Sequence, residues 1–381
     1  MKTLCRAFLL ALLISSTVIS KEKSVLVSVE NAADIDRKSE TIAIPMKDLR
    51  QKLQPIDVDR LVVSDAKDGA TVLSQVAENA LLFQSDFRSH ERKEFIVRQL
   101  SGKVAEPQSL VDGRFELPRE DYAWENDRIA FRMYGPAMAK DVNNGIDVWT
   151  KRVGYLIVDK WYTASNAAGK DTYHEDHGEG ADFFAVGRSL GAGGSGLWLN
   201  GKVSQPGVFS TQKTICNGPI RVVFELTYAN WNIDGKTFTE RRRISLDAGQ
   251  NLNRIEVTFE GLDAHESLQI ACGLVKRSNT AVGTDERNCW MSLWGLTNSD
   301  TANGFLGTGI VLSSSSLVQF TEDKDQYLVI GPAKAGEPFT YYSGAGWTRR
   351  GDFATENDWK TYLRTFAQKL QMPLKVSIAT K

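Results

Sequence analysis

Apolar and polar residues alternate with a period of two wherever the sequence shows a clear pattern. In the segment PIRVVFELTYANW (residues 219–231), one face of an extended strand would carry the apolar side chains Val222, Phe224, Leu226 and Tyr228. The segments TFTERRRISL and NLNRIEVTFEGL continue this alternation after the turns IDGK and DAGQ. Alternating strands joined by short glycine-containing turns predict an antiparallel meander. The run RRR at 241–243 must then divide between the two faces of the sheet.

Short β-rich segments bounded by Gly, Asp or Asn fill most of the remaining chain. These segments are DRIAFRMYG, RVGYLIVDKWY, ADFFAVG, SGLWLNGKV, SLQIACGLV, TGIVLSSSSLVQF and QYLVIG. Helical spacing occurs in MKDLRQKL and in NDWKTYLRTFAQKL, whose apolar stripe is Trp359, Leu363, Phe366 and Leu370. Many short strands without βαβ alternation predict an all-β fold, a large antiparallel β-sandwich with few short helices.

A polar segment divides the chain into two parts. Residues 101–121 (SGKVAEPQSLVDGRFELPRED) contain Pro107 and Pro118. Before them, VLVSVEN, TIAIP, VLSQVA and ALLFQS have the pattern of strands in a small β region. We therefore predict a small N-terminal β domain over residues 21–110 and a large sandwich, the catalytic domain, over residues 111–381.

The N-terminal segment predicts export. Lys2 and Arg6 flank the start of an apolar run over residues 7–19, which is too short to span a bilayer as a mature helix. We expect residues 1–20 to be a cleavable signal peptide and the mature protein to be periplasmic or extracellular. No later segment reaches the roughly 18 apolar residues of a membrane span. The net charge of −1 and the absence of a basic tract argue against nucleic-acid partners, and the sequence does not indicate an oligomeric state.

Three cysteines follow the predicted signal peptide: Cys216, Cys272 and Cys289. An odd number excludes a fully paired disulfide framework, and the spacing matches no zinc-binding pattern. Two interpretations stay open, a Cys272–Cys289 bridge in an oxidising compartment or buried thiols.

The segment YHEDHGEGAD (residues 173–182) carries two of the four histidines together with four acidic residues and two glycines. It suits an acid–base site, a metal loop or a solvated turn. Histidine exchanges a proton near neutral pH, so His174 and His177 are the candidate base and acid, and Tyr173 could assist. The segment is neither an EF-hand loop nor H-E-x-x-H, which makes calcium or zinc the less favoured interpretation. No organic cofactor is implied.

Several long motifs resemble one family of secreted bacterial proteins. They are ENDRIAFRMYGPA, NNGIDVWTKR, YHEDHGEGADFFAVGRSLGAGGSGLW and YYSGAGWTRRGDF. The chain is similar through most of its length to the family known as domain of unknown function 4861. The resemblance implies a role in uronic-acid polysaccharide breakdown, since a relative is an oligosaccharide dehydratase of ulvan degradation. It also implies a supersandwich fold similar to that of galactose mutarotases and polysaccharide lyases.

Dehydration of a terminal glucuronate or iduronate would leave a 4,5-unsaturated residue and needs a base, an acid and a cation that neutralises the carboxylate. The cation candidates are Lys151 and Arg152 in VWTKR and Arg188 in VGRSLG. Trp149 could stack on a pyranose ring, and Glu179 could orient an imidazole or the substrate. The glycines of GRSLGAGGSG do not form a phosphate loop, because no P-loop lysine follows.

Three other functions stay open. A lyase that cleaves a uronide bond would use the same residues with a sugar as the leaving group. A non-catalytic carbohydrate-binding protein would need no acid–base pair. A mutarotase or epimerase is a more distant alternative.

Overall fold

The computed structural model describes residues 23–233, 235–263, 266–313 and 317–380. The first twelve strands in this part of the chain are β1 (Ser24–Glu30), β2 (Arg37–Pro45), β3 (Leu61–Asp65), β4 (Thr71–Val72), β5 (Ser74–Ala77), β6 (Ala80–Phe87), β7 (Arg92–Gln99), β8 (Val111–Glu116), β9 (Asp121–Asn126), β10 (Ala130–Met133), β11 (Asp147–Lys151) and β12 (Gly180–Ala181). The later strands are β13 (Ala192–Leu199), β14 (Lys202–Ser204), β15 (Thr211–Asn217), β16 (Arg221–Ile233), β17 (Lys236–Asp247), β18 (Leu252–Glu260), β19 (Ser267–Val275), β20 (Ala281–Asp285), β21 (Trp290–Leu296), β22 (Phe305–Leu312), β23 (Gln319–Glu322), β24 (Gln326–Lys334), β25 (Phe339–Trp347) and β26 (Lys375–Thr380). The α-helices are α1 (Met46–Lys52), α2 (Val158–Ala168) and α3 (Glu356–Gln371).

An eight-stranded antiparallel sheet has the order β15-β16-β17-β18-β25-β22-β21-β20. The predicted meander is confirmed, because β16, β17 and β18 lie side by side. The apolar positions of β16 named above are all buried. The arginine run divides as its period requires: Arg242 is fully buried, whereas Arg241 and Arg243 lie on the other face with their side chains partly exposed.

Two five-stranded sheets, β12-β11-β10-β9-β8 and β14-β13-β19-β24-β23, share one large apolar core with the eight-stranded sheet. Tyr122, Trp124 and Phe131 of the first sheet pack against Phe224 or against each other in this core. The helix α3 covers the opposite face of the eight-stranded sheet, where Trp359 and Leu363 lie against Gly307 and Gly309. The predicted all-β fold with a large antiparallel sandwich and few short helices is therefore confirmed.

The N-terminal region forms a separate layer with its own apolar core. Its sheets have the orders β2-β6-β5 and β26-β1-β7-β3-β4. The last strand of the chain belongs to this layer, because Ile378 of β26 pairs with Val27 of β1. The division into residues 21–110 and 111–381 stays a prediction, but this strand joins the C-terminal end to the N-terminal sheet. The predicted signal peptide lies outside the described residues.

The helix α2 corrects the strand predicted for RVGYLIVDKWY. Its buried side chains, Val158, Trp161, Tyr162 and Ser165, recur at helical spacing, so helix formation buries one continuous stripe. Both carboxylate oxygens of Glu125 accept hydrogen bonds at the start of this helix, from the backbone N–H groups of Ile157 and Val158. Gly169 then ends the helix in a left-handed conformation, with φ of +64°. In ADFFAVG, only Ala181 belongs to a strand.

The other two predicted helices, MKDLRQKL and NDWKTYLRTFAQKL, correspond to α1 and α3 and are confirmed. Thr355 and Asp358 form a capping box that begins α3. No helix in the described ranges combines the length and the apolar composition that crossing a bilayer requires. Cys272 is a free thiol buried in the core, so the structure contains no Cys272–Cys289 bridge.

Candidate active site

The face of the β12-β11-β10-β9-β8 sheet that points away from the main core carries charged side chains. Strand alternation places Asp121 and Glu125 of β9, Arg132 of β10, and Asp147 and Lys151 of β11 on this face. The helix α2 and residues 173–182, here called the His loop, cover it with Trp161, Tyr162 and Tyr173. These charged side chains are therefore buried on what would otherwise be the solvent face of the sheet.

Arg132 lies at the centre of a buried network that we call the Arg132 cluster. Its Nη2 is 2.7 Å from Asp147 Oδ2 and 2.8 Å from Asp182 Oδ2, and its Nη1 is 3.5 Å from Asp121 Oδ2. It also donates hydrogen bonds to the hydroxyls of Tyr173, at 3.2 Å, and Tyr134, at 3.3 Å. All of these side chains are buried, so the hydrogen bonds fix their positions.

The Arg132 cluster has more carboxyl groups than cations. Burial raises the pKa of Asp121 to about 6, although the positive charge of Arg132 opposes this change. Burial and the negative charge of Asp147 raise the pKa of Asp182 well above its ordinary value. One oxygen of Asp121, Oδ1, has no hydrogen-bond partner within the described chain. The carboxyl groups of Asp121 and Asp182 therefore keep their protons to a higher pH than ordinary aspartates do.

His174 connects this cluster to solvent. Its side chain is 54% exposed, and its Nδ1 lies 3.1 Å from the backbone oxygen of Asp182 and 3.5 Å from the carboxylate of the same residue. Its ring makes an edge contact with the buried ring of Tyr173, with centroids 4.8 Å apart. An imidazole whose Nδ1 is oriented by the backbone oxygen of a buried aspartate keeps its other nitrogen for proton exchange, which is the arrangement of a general acid or base.

The His loop is closed by hydrogen bonds at both ends of its turn. The N–H of Asp182 donates to the oxygen of Tyr173, at 2.8 Å. The carboxylate of Asp176 accepts the N–H groups of Gly178 and Gly180. The two glycines have φ values of +97° and +117°, and a side chain at position 180 would collide with the backbone of Thr150. The glycines therefore allow the turn that follows His177.

His177 lies on another side of this loop, at a surface pocket of about 430 Å³. Trp161 and Tyr173 line the same pocket, whereas His174 does not. Glu179 is fixed there by hydrogen bonds from Lys160, at 2.6 Å, from Trp161 Nε1, at 3.1 Å, and from the Tyr155 hydroxyl. The predicted residues Tyr173, His177 and Glu179 thus share one pocket with the exposed ring of Tyr155 and the buried ring of Trp161.

Two of the predicted binding residues are buried. Lys151 is fully buried, with its Nζ 2.5 Å from Glu125 and 2.7 Å from the backbone oxygen of Asn126. Trp149 is also fully buried, and its ring stacks on those of Trp161 and Tyr173. In this structure both residues support the covered sheet face and neither reaches solvent.

The two predicted arginines lie in different places. Arg152 follows β11, forms an ion pair with Asp176 of the His loop and has its Cζ 5.5 Å from the ring centre of Trp347. Arg188 is exposed, and its Nη1 donates to the backbone oxygen of Lys140, outside the His loop. Its predicted role in substrate binding stays a prediction.

No three His, Cys, Asp or Glu side chains in the described part of the chain are arranged to bind a metal ion. Asp147 and Asp182 approach each other, but the guanidinium of Arg132 occupies the position between them. In the His loop, Glu179 and Asp176 are already bound to the cations described above.

Sequence reasoning missed Arg132, Asp121 and Asp147. The segments DYAWEN, AFRM and DVWTK do place a charged residue at alternate positions of each strand. That alternation is also typical of a solvent-facing strand. The cover provided by α2 and the His loop makes these charges a buried cluster, and the strand predicted for RVGYLIVDKWY does not include this cover.

Known proteins resemble this chain in sequence or in fold. An uncharacterized protein P7 of Formosa agariphila is 33% identical over 392 residues, covering 97% of each chain. A protein in glycosyl hydrolase family 38 from Enterococcus faecalis resembles the fold with a TM-score of 0.52 and 11% identity, over 93% of this chain and 47% of that one. An alpha-mannosidase from the same species gives a TM-score of 0.48 at 10% identity, over 93% and 46%.

The chain therefore spans about half the length of these solved structures, and at such identity the likeness to the family 38 protein shows the fold alone. The family of this chain follows from its sequence. The model of the domain of unknown function DUF4861 matches residues 29–376. With that match over most of its length, the chain belongs to the DUF4861 family.

Proposed function

We propose that this protein is an exported dehydratase that eliminates water from the non-reducing-end uronate of an oligosaccharide and leaves a 4,5-unsaturated residue. The observation that carries the proposal is the exposed imidazole of His174, whose Nδ1 faces Asp182 of the buried Arg132 cluster. The predicted signal peptide and the expected periplasmic or extracellular location are part of this proposal.

In the proposed reaction, His174 Nε2 accepts the proton from C5 of the uronate. The electron pair of that C–H bond forms the C4–C5 double bond, and the C4–O bond breaks. The departing hydroxyl receives a proton and leaves as water, so no cofactor is needed. The backbone oxygen of Asp182, 3.1 Å from Nδ1, accepts the N–H of the imidazolium that forms on His174.

His177 is the proposed proton donor to the leaving hydroxyl. It lines the 430 Å³ pocket beside Trp161, and Tyr173, which lines the same pocket, makes a ring contact with His174. An aromatic ring at the pocket supports stacking of a pyranose ring. Arg152, attached to the same loop through Asp176, supplies the cation for the substrate carboxylate. This set contains the base, the acid and the cation that the elimination requires.

The test is incubation with glucuronyl and iduronyl oligosaccharides, followed by ultraviolet absorbance and mass spectrometry. We expect a new absorbance band and a product that has lost one water with its chain length unchanged. The variant His174→Asn should reduce turnover by about 10²–10⁴-fold, because asparagine cannot exchange a proton at this position.

A matched control is His90→Asn. His90 is an exposed histidine of the N-terminal layer, 3.8 Å from the exposed carboxylate of Asp34. It shares the His–Asp pairing with His174 but has no buried cluster behind it, so its variant should keep wild-type turnover.

The same measurements separate the alternatives. Shortened chains would identify a lyase that cleaves a uronide bond. Binding without turnover, unchanged in His174→Asn, would identify a non-catalytic carbohydrate-binding protein. Equal turnover in His174→Asn and the wild-type protein would contradict the role given to His174.

A further inference from the structure

A cavity of about 420 Å³ lies on the face of the eight-stranded sheet that points away from the main core. The helix α3 lies against this face on one side of the cavity, and the N-terminal layer lies on the other, where Thr41 of β2 donates to Asp247 of β17 at 2.7 Å. Ser245 of β17 and its register partner Arg254 of β18 line the sheet between them. The cavity opens to solvent beside Val376, which is 39% exposed. We call this space the interlayer cavity.

The apolar stripe of α3 divides at the interlayer cavity. Trp359 and Leu363 are fully buried against the sheet, whereas Phe366 and Leu370, on the same stripe, are half-buried and line the cavity. The ring of Phe366 makes an edge contact with the ring of Tyr342 from β25, with ring centres 5.0 Å apart. Two aromatic rings therefore border a space that the protein itself does not fill, and such rings favour a ligand with a ring of its own.

The charges around the interlayer cavity are mostly paired. Among the described residues that line it, the cations are Arg221, Arg254 and Lys369, and the carboxylates are Glu40 and Asp247. Arg221 donates two hydrogen bonds to Asp247, at 2.5 and 2.7 Å. Arg254 pairs with Glu256, which follows it on the same face of β18. These two arginines are thus neutralised by their own acidic partners, and the balance of charge depends on Lys369.

Lys369 shares its carboxylate with a second cation. Glu40 Oε2 lies 3.0 Å from Lys369 Nζ, while Glu40 Oε1 lies 3.0 Å from Nη1 of the fully buried Arg37. One negative charge therefore serves two positive charges. An ammonium group has three N–H donors, and Glu40 is the ion-pair partner of Lys369 within the described chain. Lys369 consequently brings spare donors and an excess positive charge to the interlayer cavity.

We propose that the interlayer cavity binds a small molecule with a carboxylate on a six-membered ring. Lys369 binds the carboxylate, and Tyr342 and Phe366 contact the ring. The volume lies in the range of roughly 300–1,000 Å³ that is usual for small-molecule sites, and such sites are common where two layers or domains meet. Sugar acids and aromatic acids both have this chemistry, and the experiment distinguishes them. The inference goes beyond the proposed function, because no residue of the His loop is among the described residues that line this cavity.

The test is isothermal titration of the full chain with glucuronate, with benzoate and, as an uncharged reference, with glucose. Lys369→Gln should weaken carboxylate binding by about tenfold, because the ion pair with the ligand is lost. Lys360→Gln is the matched control. Lys360 belongs to the same helix, pairs with Glu356 at 2.5 Å and is not among the described residues of the cavity lining, so its variant makes the same change in net charge elsewhere.

Binding of glucuronate at the His loop is separated by a further variant. Arg152→Gln removes the cation assigned to the uronate in the proposed function, and Arg152 is not among the described residues that line the interlayer cavity. Arg152→Gln should therefore keep the glucuronate binding that Lys369→Gln loses. Failure of the proposed function would leave this result unchanged.

A variant with a gain of binding complements the loss. Glu40→Gln removes the carboxylate that competes for Lys369, while its amide oxygen can still accept a hydrogen bond from Arg37. We expect a severalfold increase in carboxylate affinity, which a misfolded variant could not produce.

A larger side chain on the sheet should exclude the ligand. Ser245→Leu places a leucine in the interlayer cavity without removing a charge, and it should abolish carboxylate binding. Thr239→Leu is its control, because Thr239 lies on the same face of β17 and is not among the described residues of the cavity lining. Circular dichroism verifies the fold of each variant.

Binding of glucuronate alone identifies a sugar-acid site, and binding of benzoate alone identifies an aromatic-acid site. Either result, or binding of both, supports the proposal if Lys369→Gln weakens it and Lys360→Gln does not. Absence of carboxylate binding by the wild-type protein, glucose binding as tight as that of glucuronate, or equal effects of the two lysine variants would overturn the proposal.

Discussion

Two buried arginines of this protein have opposite charge surroundings. Arg242 lies inside the sandwich and pairs with Glu240, with Nη2 2.5 Å from Oε1. Its remaining donors reach the backbone oxygens of Asn144 and Ser195, each at 3.2 Å. Both members of the pair are fully buried. One positive and one negative charge thus balance in a place that solvent does not reach.

Arg132 instead faces three carboxyl groups, those of Asp121, Asp147 and Asp182. The carboxyl of Asp182 also faces His174, whose side chain is 54% exposed. This cluster is unbalanced and is connected to solvent through a group that can exchange protons. Burial of charge is therefore common to both arginines, whereas an excess of carboxyl groups and a connection to solvent through His174 distinguish the Arg132 cluster.

The largest effect on stability is expected from breaking the balanced pair. Arg242→Met leaves Glu240 buried without its cation and should lower the free energy of unfolding by about 3–5 kcal/mol. The double variant with Glu240→Leu should recover most of this loss, because apolar replacement of both charges is often neutral or stabilising. Urea unfolding followed by circular dichroism measures both variants.

The neighbouring arginine of the same strand provides the control. Arg243 is on the other face of β17, partly exposed and paired with Glu78. Arg243→Met should cost at most about 1 kcal/mol. Similar losses in the Arg242 and Arg243 variants would contradict the importance assigned to the buried pair.

The second effect concerns the unbalanced cluster and its dependence on pH. The pKa of Asp121 is about 6 in the folded protein and 3.8 is its ordinary value, so the folded state binds a proton more tightly than the unfolded chain. The contribution of Asp121 to the free energy of unfolding therefore falls as pH rises from the ordinary pKa to the raised one, by about 3 kcal/mol at most. Asp121→Asn cannot lose this proton and should become more stable relative to the wild-type protein as pH rises from about 4 to about 7.

Unfolding free energies of both proteins across this pH range measure the difference. Asp34→Asn serves as the control, because the Asp34 side chain is 94% exposed and outside the cluster. A difference between Asp121→Asn and the wild-type protein that stays constant with pH would show that Asp121 does not retain a proton in the folded state.

Parts of this fold could be predicted from the sequence alone. The alternation of apolar and polar residues in β16, β17 and β18 predicts which side chains are buried, because each face of the sheet is continuous. The spacing of apolar residues in α3 predicts its buried side in the same way. The segment that forms α2 is rich in β-branched and aromatic residues. Its first turn is stabilised by Glu125, which is distant in sequence, so local propensity favoured a strand.

The candidate site shows the same limit. The His loop was recognised because its histidines, acids and glycines are contiguous. Arg132 and its carboxyl partners come from separate strands and from the loop, and their contacts depend on sheet register. Lys151 looked like an available cation, whereas the fold uses it to neutralise Glu125. Contacts between residues that are distant in the chain cannot be predicted from a single sequence.

The smallest expected effects come from two tyrosine hydroxyls, one in each environment. The Tyr173 hydroxyl accepts a hydrogen bond from Arg132, at 3.2 Å, and the Tyr341 hydroxyl donates one to the oxygen of Gly193, at 2.7 Å. Replacement of Tyr173 by phenylalanine removes the charge-assisted hydrogen bond from Arg132, and replacement of Tyr341 removes the neutral hydrogen bond to Gly193. Each variant should lose about 1 kcal/mol of unfolding free energy.

Only one of these variants should change turnover. Arg132 also contacts the Asp182 carboxylate that faces His174, so Tyr173→Phe loosens the support of the imidazole and should lower kcat by less than about 10²-fold with KM unchanged. Tyr341→Phe, with the same stability loss, should keep the wild-type kcat because its hydrogen bond lies in the sandwich interior. Equal kcat values for the two variants would mean that the Arg132 cluster only stabilises the fold, as the Glu240–Arg242 pair does. The difference in charge balance between the two clusters would then have no functional meaning.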